Sequence, residues 1–138
     1  VEKNILFLEG NLFEPLFSCY KNRKFDAVVA NPPYVPTKMI DELQKEIRYY
    51  EPRKALDGGK DGLDVIRKII RTAPCVMKPG ALLAFEIGLG HYEKVVNIVA
   101  ETGKYTDMEV LPDYAGIPRV LKTFLNKEEY KREEVDVI

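Results

Sequence analysis

Histidine and serine occur once each, at His91 and Ser18, and cysteine twice, at Cys19 and Cys75. That supply cannot build a four-ligand zinc site, and two cysteines so far apart make no disulfide framework, so no metal is expected. The thiols read as small buried side chains in a reducing compartment. A serine triad would have to use Ser18 with His91, and no strand-to-helix nucleophile elbow surrounds the serine, which argues against serine hydrolysis. Net charge is missing too: 21 Lys+Arg face 22 Asp+Glu, leaving -1. No global basic field exists to hold nucleic acid by counterion release, so such a partner would need a local patch. Long apolar runs are absent; Ile5 to Leu8 and Ala81 to Phe85 fall far short of the roughly 20 residues that span a bilayer. No membrane is expected, and a cytoplasmic place is. The chain opens Val1-Glu2-Lys3-Asn4 with neither an initiator Met nor a signal-peptide pattern, which reads as a piece of something longer.

What is present, 46% hydrophobic and 31% charged residues in 138, fits one globular domain. Short β-branched or aromatic runs alternate with amphipathic stretches, the pattern of a wound α/β sheet. Strands are expected at Ile5 to Glu9, Phe25 to Ala30, Ala81 to Ile87, Thr106 to Leu111 and Val120 to Leu125. Ala27 to Ala30 and Leu82 to Phe85 are continuously apolar, as when both faces of a strand are covered. Helices are expected at Thr37 to Arg48, at Gly62 to Val76 with Asp61 as N-cap and a break near Pro74, and at His91 to Thr102 with Gly103 as C-terminal cap. Pro112 and Gly116 between the last two strands suit an antiparallel hairpin at the edge. Residues 1–126 are read as the domain and 127–138 as a charged tail. No internal repeat is visible.

A nucleotide-binding α/β fold places a Gly-rich strand-to-helix turn in its first half, and this chain has none. Its sharpest feature is Asn31-Pro32-Pro33-Tyr34 behind the strand at Phe25 to Ala30, at the carboxyl end where open α/β sheets collect ligands. Two prolines fix their own φ and hold the residues before them extended, so the carbonyls of Asn31 and Pro32 are aimed in advance. A planar amide or aromatic amine is a poor nucleophile, and the positive charge it develops during attack needs stabilising. The side-chain oxygen of Asn31 and the backbone oxygen of Pro32 can accept its two N–H hydrogens while Tyr34 packs on the plane. Alignment against a sulfonium methyl then supplies most of the acceleration without a strong base.

The tetrapeptide resembles the Asp/Asn-Pro-Pro-aromatic motif of S-adenosylmethionine-dependent amino-group methyltransferases, which by itself leaves adenine, cytosine and protein amide open as acceptors. The segments Tyr50 to Leu63, Phe85 to Gly88 and Asp113 to Val120 resemble the HemK/PrmC family of protein-(glutamine-N5) methyltransferases, in that family's order, over about Ile5 to Leu125. The resemblance implies a Rossmann-like methyltransferase sheet with its Gly-rich first half absent and its last strand antiparallel. It implies S-adenosylmethionine as cofactor, and as protein substrate a peptide chain release factor, methylated on the Gln of its Gly-Gly-Gln loop. Asn31, Pro32 and Tyr34 would be catalytic, Asn31 to Tyr34 would hold the glutamine side chain, and Asn31 would lie beside the methyl donor. Gly10 to Phe13 stands where the family has an Asp and an aromatic on the adenine. Asn11 keeps an acceptor there, while Leu12 keeps apolar contact without ring stacking.

With two strands of the family's order missing beside Phe25 to Ala30, that strand is expected to expose an apolar edge. Either Ile5 to Glu9 re-pairs with it or a homodimer shares it. Gly58 to Gly62 reads as a turn, since no Gly-Lys-Ser/Thr follows. Glu51 and Glu86 read as paired or capping carboxylates, His91 as a surface residue, and Arg48, Arg53 and Lys54 as solvated charges. Two other readings stay open: an adenine-N6 methyltransferase of DNA or RNA, and a non-catalytic fragment or assembly module.

Overall fold

The structure, a computed structural model, describes residues 4–20 and 23–127. The elements in chain order are α1 (Glu14–Cys19), β1 (Phe25–Ala30), a 3-10 turn (Thr37–Glu42), α2 (Lys45–Tyr50), α3 (Arg53–Leu56), α4 (Asp64–Thr72), a 3-10 turn (Ala73–Cys75), β2 (Met77–Glu86), α5 (Tyr92–Thr102), β3 (Tyr105–Pro112) and β4 (Pro118–Leu125). The strands form one mixed sheet in the order β1-β2-β4-β3. β1 and β2 run parallel, and β4 is antiparallel to both β2 and β3. The expected α/β class and antiparallel last strand are therefore borne out.

Apolar residues of α4 recur at Ile66, Ile69 and Ile70, and of α5 at Val95 and Val99; all five are buried. They close over Leu83 and Phe85 of β2 and Leu121 of β4 in one core. Gly103 ends α5 in a left-handed conformation, φ 65°, as its composition demanded. Tyr105, at the head of β3, sends its hydroxyl to the Ile70 carbonyl at 2.6 Å. This tie joins the far strand to α4. Burial pushes the Tyr105 phenol well above its ordinary range.

Among the described residues, only one face of the sheet is covered. Register pairs Val29 of β1 with Ala84 of β2 and Ala84 with Lys122 of β4, and on that face Val29 is 76% exposed. The continuous apolar runs predicted cover on both faces; helices pack against only one among the described residues. Ile5 to Glu9 is not a strand, its side chains are exposed, and it does not pair with β1. An extended segment with no neighbouring ladder has nothing to accept its backbone hydrogen bonds except water. β1 is the sheet's edge among the described residues, as expected.

Other expectations need correction. The helix predicted from Thr37 to Arg48 is broken at Leu43 and Gln44, which are extended, and only Ile40 of the first piece is buried. With so little apolar stripe to bury, a continuous helix gains nothing. Cys19 and Cys75 are exposed rather than buried, since α1 has no buried residue and Cys75 lies in a turn at the surface. Most of the tail expected at 127–138 lies outside the described residues.

Candidate functional site

Asn31-Pro32-Pro33-Tyr34 leaves the carboxyl end of β1 as predicted, and the chain holds it from two sides. On one side, Val35 donates to the Leu56 carbonyl, Gly58 to Val35 and Thr37 to Gly59, each at 2.9 Å. This short parallel ladder joins the loop's exit to residues 56–59. Asp57 locks the corner: its Oδ1 accepts from the Thr37 hydroxyl at 2.7 Å and the Gly59 amide at 3.0 Å. Those bonds hold the Asp57 carboxyl below the usual range. Asp61 is no helix cap, because α4 starts only at Asp64. Its carboxylate instead grips Arg67 at 2.8 and 2.6 Å and accepts the Leu63 amide at 3.2 Å, bolting the glycine turn to α4.

On the other side lies the end of β2. The Tyr34 hydroxyl donates to Glu86 Oε1 at 2.8 Å, so the carboxylate read as paired is paired with the site's own aromatic. Burial, and then that bond, raises the Tyr34 phenol above its ordinary value. Gly88 and Gly62 let the joint close. A methyl group on Gly88 would stand 2.9 Å from Tyr34 Cδ2 and 3.0 Å from His91 Nδ1, and one on Gly62 would collide with the Tyr34 carbonyl oxygen. Beneath them sits His91, only 8% exposed and thus no surface residue. Its Nδ1 has no hydrogen-bond partner among the described residues. Desolvation, followed by the nearby Lys94 charge, lowers the His91 pKa and holds the ring neutral.

Asn31 and Glu86 line one recess of about 270 Å³ on the uncovered face of the sheet, with Val29, Ala84 and Val120. Above it the hairpin turn is tied by Asp113, which accepts Arg119 Nε at 2.9 Å and the amides of Ala115 and Ile117. Arg119 thereby places positive charge near both Tyr34 and Glu86. Asn11 and Leu12 do not share that recess. They line a larger groove of about 750 Å³ together with Pro33, Thr37, Lys54 and Asp57. The diproline loop thus stands between two hollows, with Asn31 on one and Pro33 on the other.

Asn11 donates its amide hydrogen to Glu14 at 3.0 Å, which commits the nitrogen and presents the oxygen as an acceptor. Leu12 holds φ 50°, a left-handed conformation that a branched side chain rarely adopts and that gathers at binding sites. An acceptor and an apolar side chain on one groove suit the edge and face of a purine. The residues thus fit the adenine end of the expected cofactor. The sequence alone did not reveal the role of Gly62, Gly88 and His91. The available signal was three family-like segments, distant in sequence, that each carry a glycine or an acid and meet at Tyr34.

An open α/β sheet with an Asn-Pro-Pro-Tyr corner at a strand end is the arrangement that the resemblance implies, and comparisons with known proteins point the same way. The model of the Eco57I restriction-modification methylase family matches residues 2–61. The release factor glutamine methyltransferase of Geobacter sulfurreducens is 45% identical over 85% of this chain and 39% of its own length. That of Gloeobacter violaceus is 40% identical over 90% of this chain and 42% of its own. The protein-(glutamine-N5) methyltransferase of Alicyclobacillus acidocaldarius shares the fold, with a TM-score of 0.50 at 23% identity, over 77% of this chain and 52% of that one. The chain belongs to the release factor glutamine methyltransferase (HemK/PrmC) family, and it spans well under half the length of the curated relatives it matches.

Proposed function

We propose that the polypeptide carrying these residues transfers a methyl group from S-adenosylmethionine to the side-chain amide nitrogen of the Gln in the Gly-Gly-Gln loop of peptide chain release factors. One observation supports the reading above the others: Asn31 and the Glu86 carboxylate that holds Tyr34 converge on one recess at the end of β1. The bound cofactor supplies a methyl on a sulfonium, which leaves behind a neutral thioether. Everything else falls to the chain. Asn31 Oδ1 and the Pro32 carbonyl accept the two hydrogens of the carboxamide nitrogen, turning its lone pair toward the incoming carbon. Tyr34 packs on the carboxamide plane and Pro33 stiffens the corner between the two. As the C–N bond forms, the surplus proton on nitrogen passes to water, so the attacking step uses no strong base. Asn11 and Leu12 would hold the adenine of the cofactor from their groove, and Asn31, across the diproline corner, would face its methyl-bearing end. Such an enzyme works in the cytoplasm, where translation termination takes place.

The matched methylase family over residues 2–61 favours one second reading, an adenine-N6 methyltransferase, because a planar exocyclic amine suits the same tetrapeptide. The net charge of -1 weighs against a nucleic-acid substrate. The complete polypeptide, offered release factor and an unmodified oligonucleotide in parallel, should methylate only the protein. Asn31→Ala should lower that turnover by about a hundredfold or more, the scale of removing one preorganised partner from a reacting centre. Unchanged turnover in Asn31→Ala would overturn the mechanism, and methylated oligonucleotide would overturn the substrate. Calorimetry of the 138-residue chain with S-adenosylmethionine bears on the assembly-module reading, which predicts no binding.

A further inference from the structure

We infer that Glu86 is a positioning residue for methyl transfer, acting through Tyr34: its carboxylate fixes the phenol so that the ring stands in one orientation beside Asn31. The inference deepens the reading above and rests on it. Three observations carry it. Among the described residues Tyr34 makes one hydrogen bond through its side chain, the 2.8 Å bond to Glu86 Oε1. The ring edge lies against Gly88, where even a methyl group would come within 2.9 Å of it, so the ring is closely packed on that side. Glu86 ends β2, whose parallel register with β1 pairs Ala30 with Phe85, and this sets the carboxylate beside Asn31 in the same recess. The sheet itself therefore fixes the distance between the amide of Asn31 and the anchor of Tyr34.

An acceptor for the phenol is all that this role demands, so charge and geometry can be separated. Glu86→Ala removes the acceptor, Glu86→Gln keeps an oxygen in its place without the charge, and Tyr34→Phe removes the donor. In the complete polypeptide acting on release factor, Glu86→Ala should lower kcat about tenfold or more with KM little changed, since one side chain of a protein–protein encounter is affected. Glu86→Gln should recover most of that loss. Adding Glu86→Ala to Tyr34→Phe should cost little beyond Tyr34→Phe alone, because both changes cut the same bond. Full additivity of the two, or Glu86→Gln as poor as Glu86→Ala, would overturn the inference.

A second arm needs no turnover. In the 138-residue chain, the ring NMR signals of Tyr34, assigned by their loss in Tyr34→Phe, should move toward those of a free tyrosine in Glu86→Ala and much less in Glu86→Gln. An unmoved ring in Glu86→Ala would also overturn the inference. If the complete polypeptide instead methylates nothing while the ring responds as described, the methyl-transfer reading has failed and the Glu86–Tyr34 coupling has not.

Discussion

Two glycines set what the joint under Tyr34 tolerates. Gly62 holds φ 79°, and an added methyl group would collide with the Tyr34 carbonyl oxygen, which is backbone and cannot swing away. Gly62→Ala should therefore destabilise the chain by about 1–3 kcal/mol, read as a lower urea midpoint at constant slope. Gly88→Ala meets side chains, the rings of Tyr34 and His91. A smaller stability loss is expected there, together with a displaced Tyr34 ring seen in its NMR signals. His91 gives a pH prediction. Its folded pKa lies below the ordinary 6.5, so the unfolded chain binds the proton more readily. Stability is complete above about pH 6.5 and falls as pH drops below it, with a slope of at most about 1.4 kcal/mol per pH unit. This is the chain's single histidine, and the charges that act on it are those of Lys94 and Asp61. Urea melts at pH 7 and pH 5.5 should differ in wild type and converge in His91→Gln.

Segments 35–37 and 56–63 and the start of α4 behave as one clamp around the diproline loop. The Asp61–Arg67 pair is the clamp's fastening, with side chains 35% and 32% exposed. Solvent screening at that exposure limits it to about 1 kcal/mol. The arginine beside it holds the Asp61 carboxyl well below the usual carboxylate range. Its stability is thus present above about pH 4 and lost as the pH falls further. Asp61→Asn should cost about 0.5–1 kcal/mol at pH 7, and the acid limb of its stability curve should be shallower than in wild type. The same pairing explains why Asp61 looked like a helix cap. An Asp just ahead of an apolar period is the usual N-cap signal, yet Arg67 lies one turn inside α4 and takes the carboxylate first. The Thr37 to Arg48 segment misled for another reason. Its residues have adequate helix propensity, and only the packed structure reveals that one of the first six side chains is buried.

At the scale of the whole chain, the described residues leave one sheet face uncovered and the edge of β1 unpaired. Val29 is 76% exposed among neighbours that include Ala84 and Val120, and a bare apolar strand edge invites pairing. Sedimentation of the 138-residue chain should show concentration-dependent association that Val29→Lys abolishes; a compact monomer at all concentrations would remove the shared-edge dimer. The α/β class, three of the strands almost to the residue, α5 with its glycine cap, and the Asn31 to Tyr34 corner were determined by the sequence alone. Each depends on local periodicity, fixed proline torsions or left-handed glycine, which neighbours in the chain decide. Only the tertiary structure decided that Glu86 meets Tyr34, that His91 is buried and both cysteines exposed, and that Ile5 to Glu9 forms no strand. Those outcomes depend on which distant segments fold against one another, and a strand or a buried ring exists only when its partners are there to cover it.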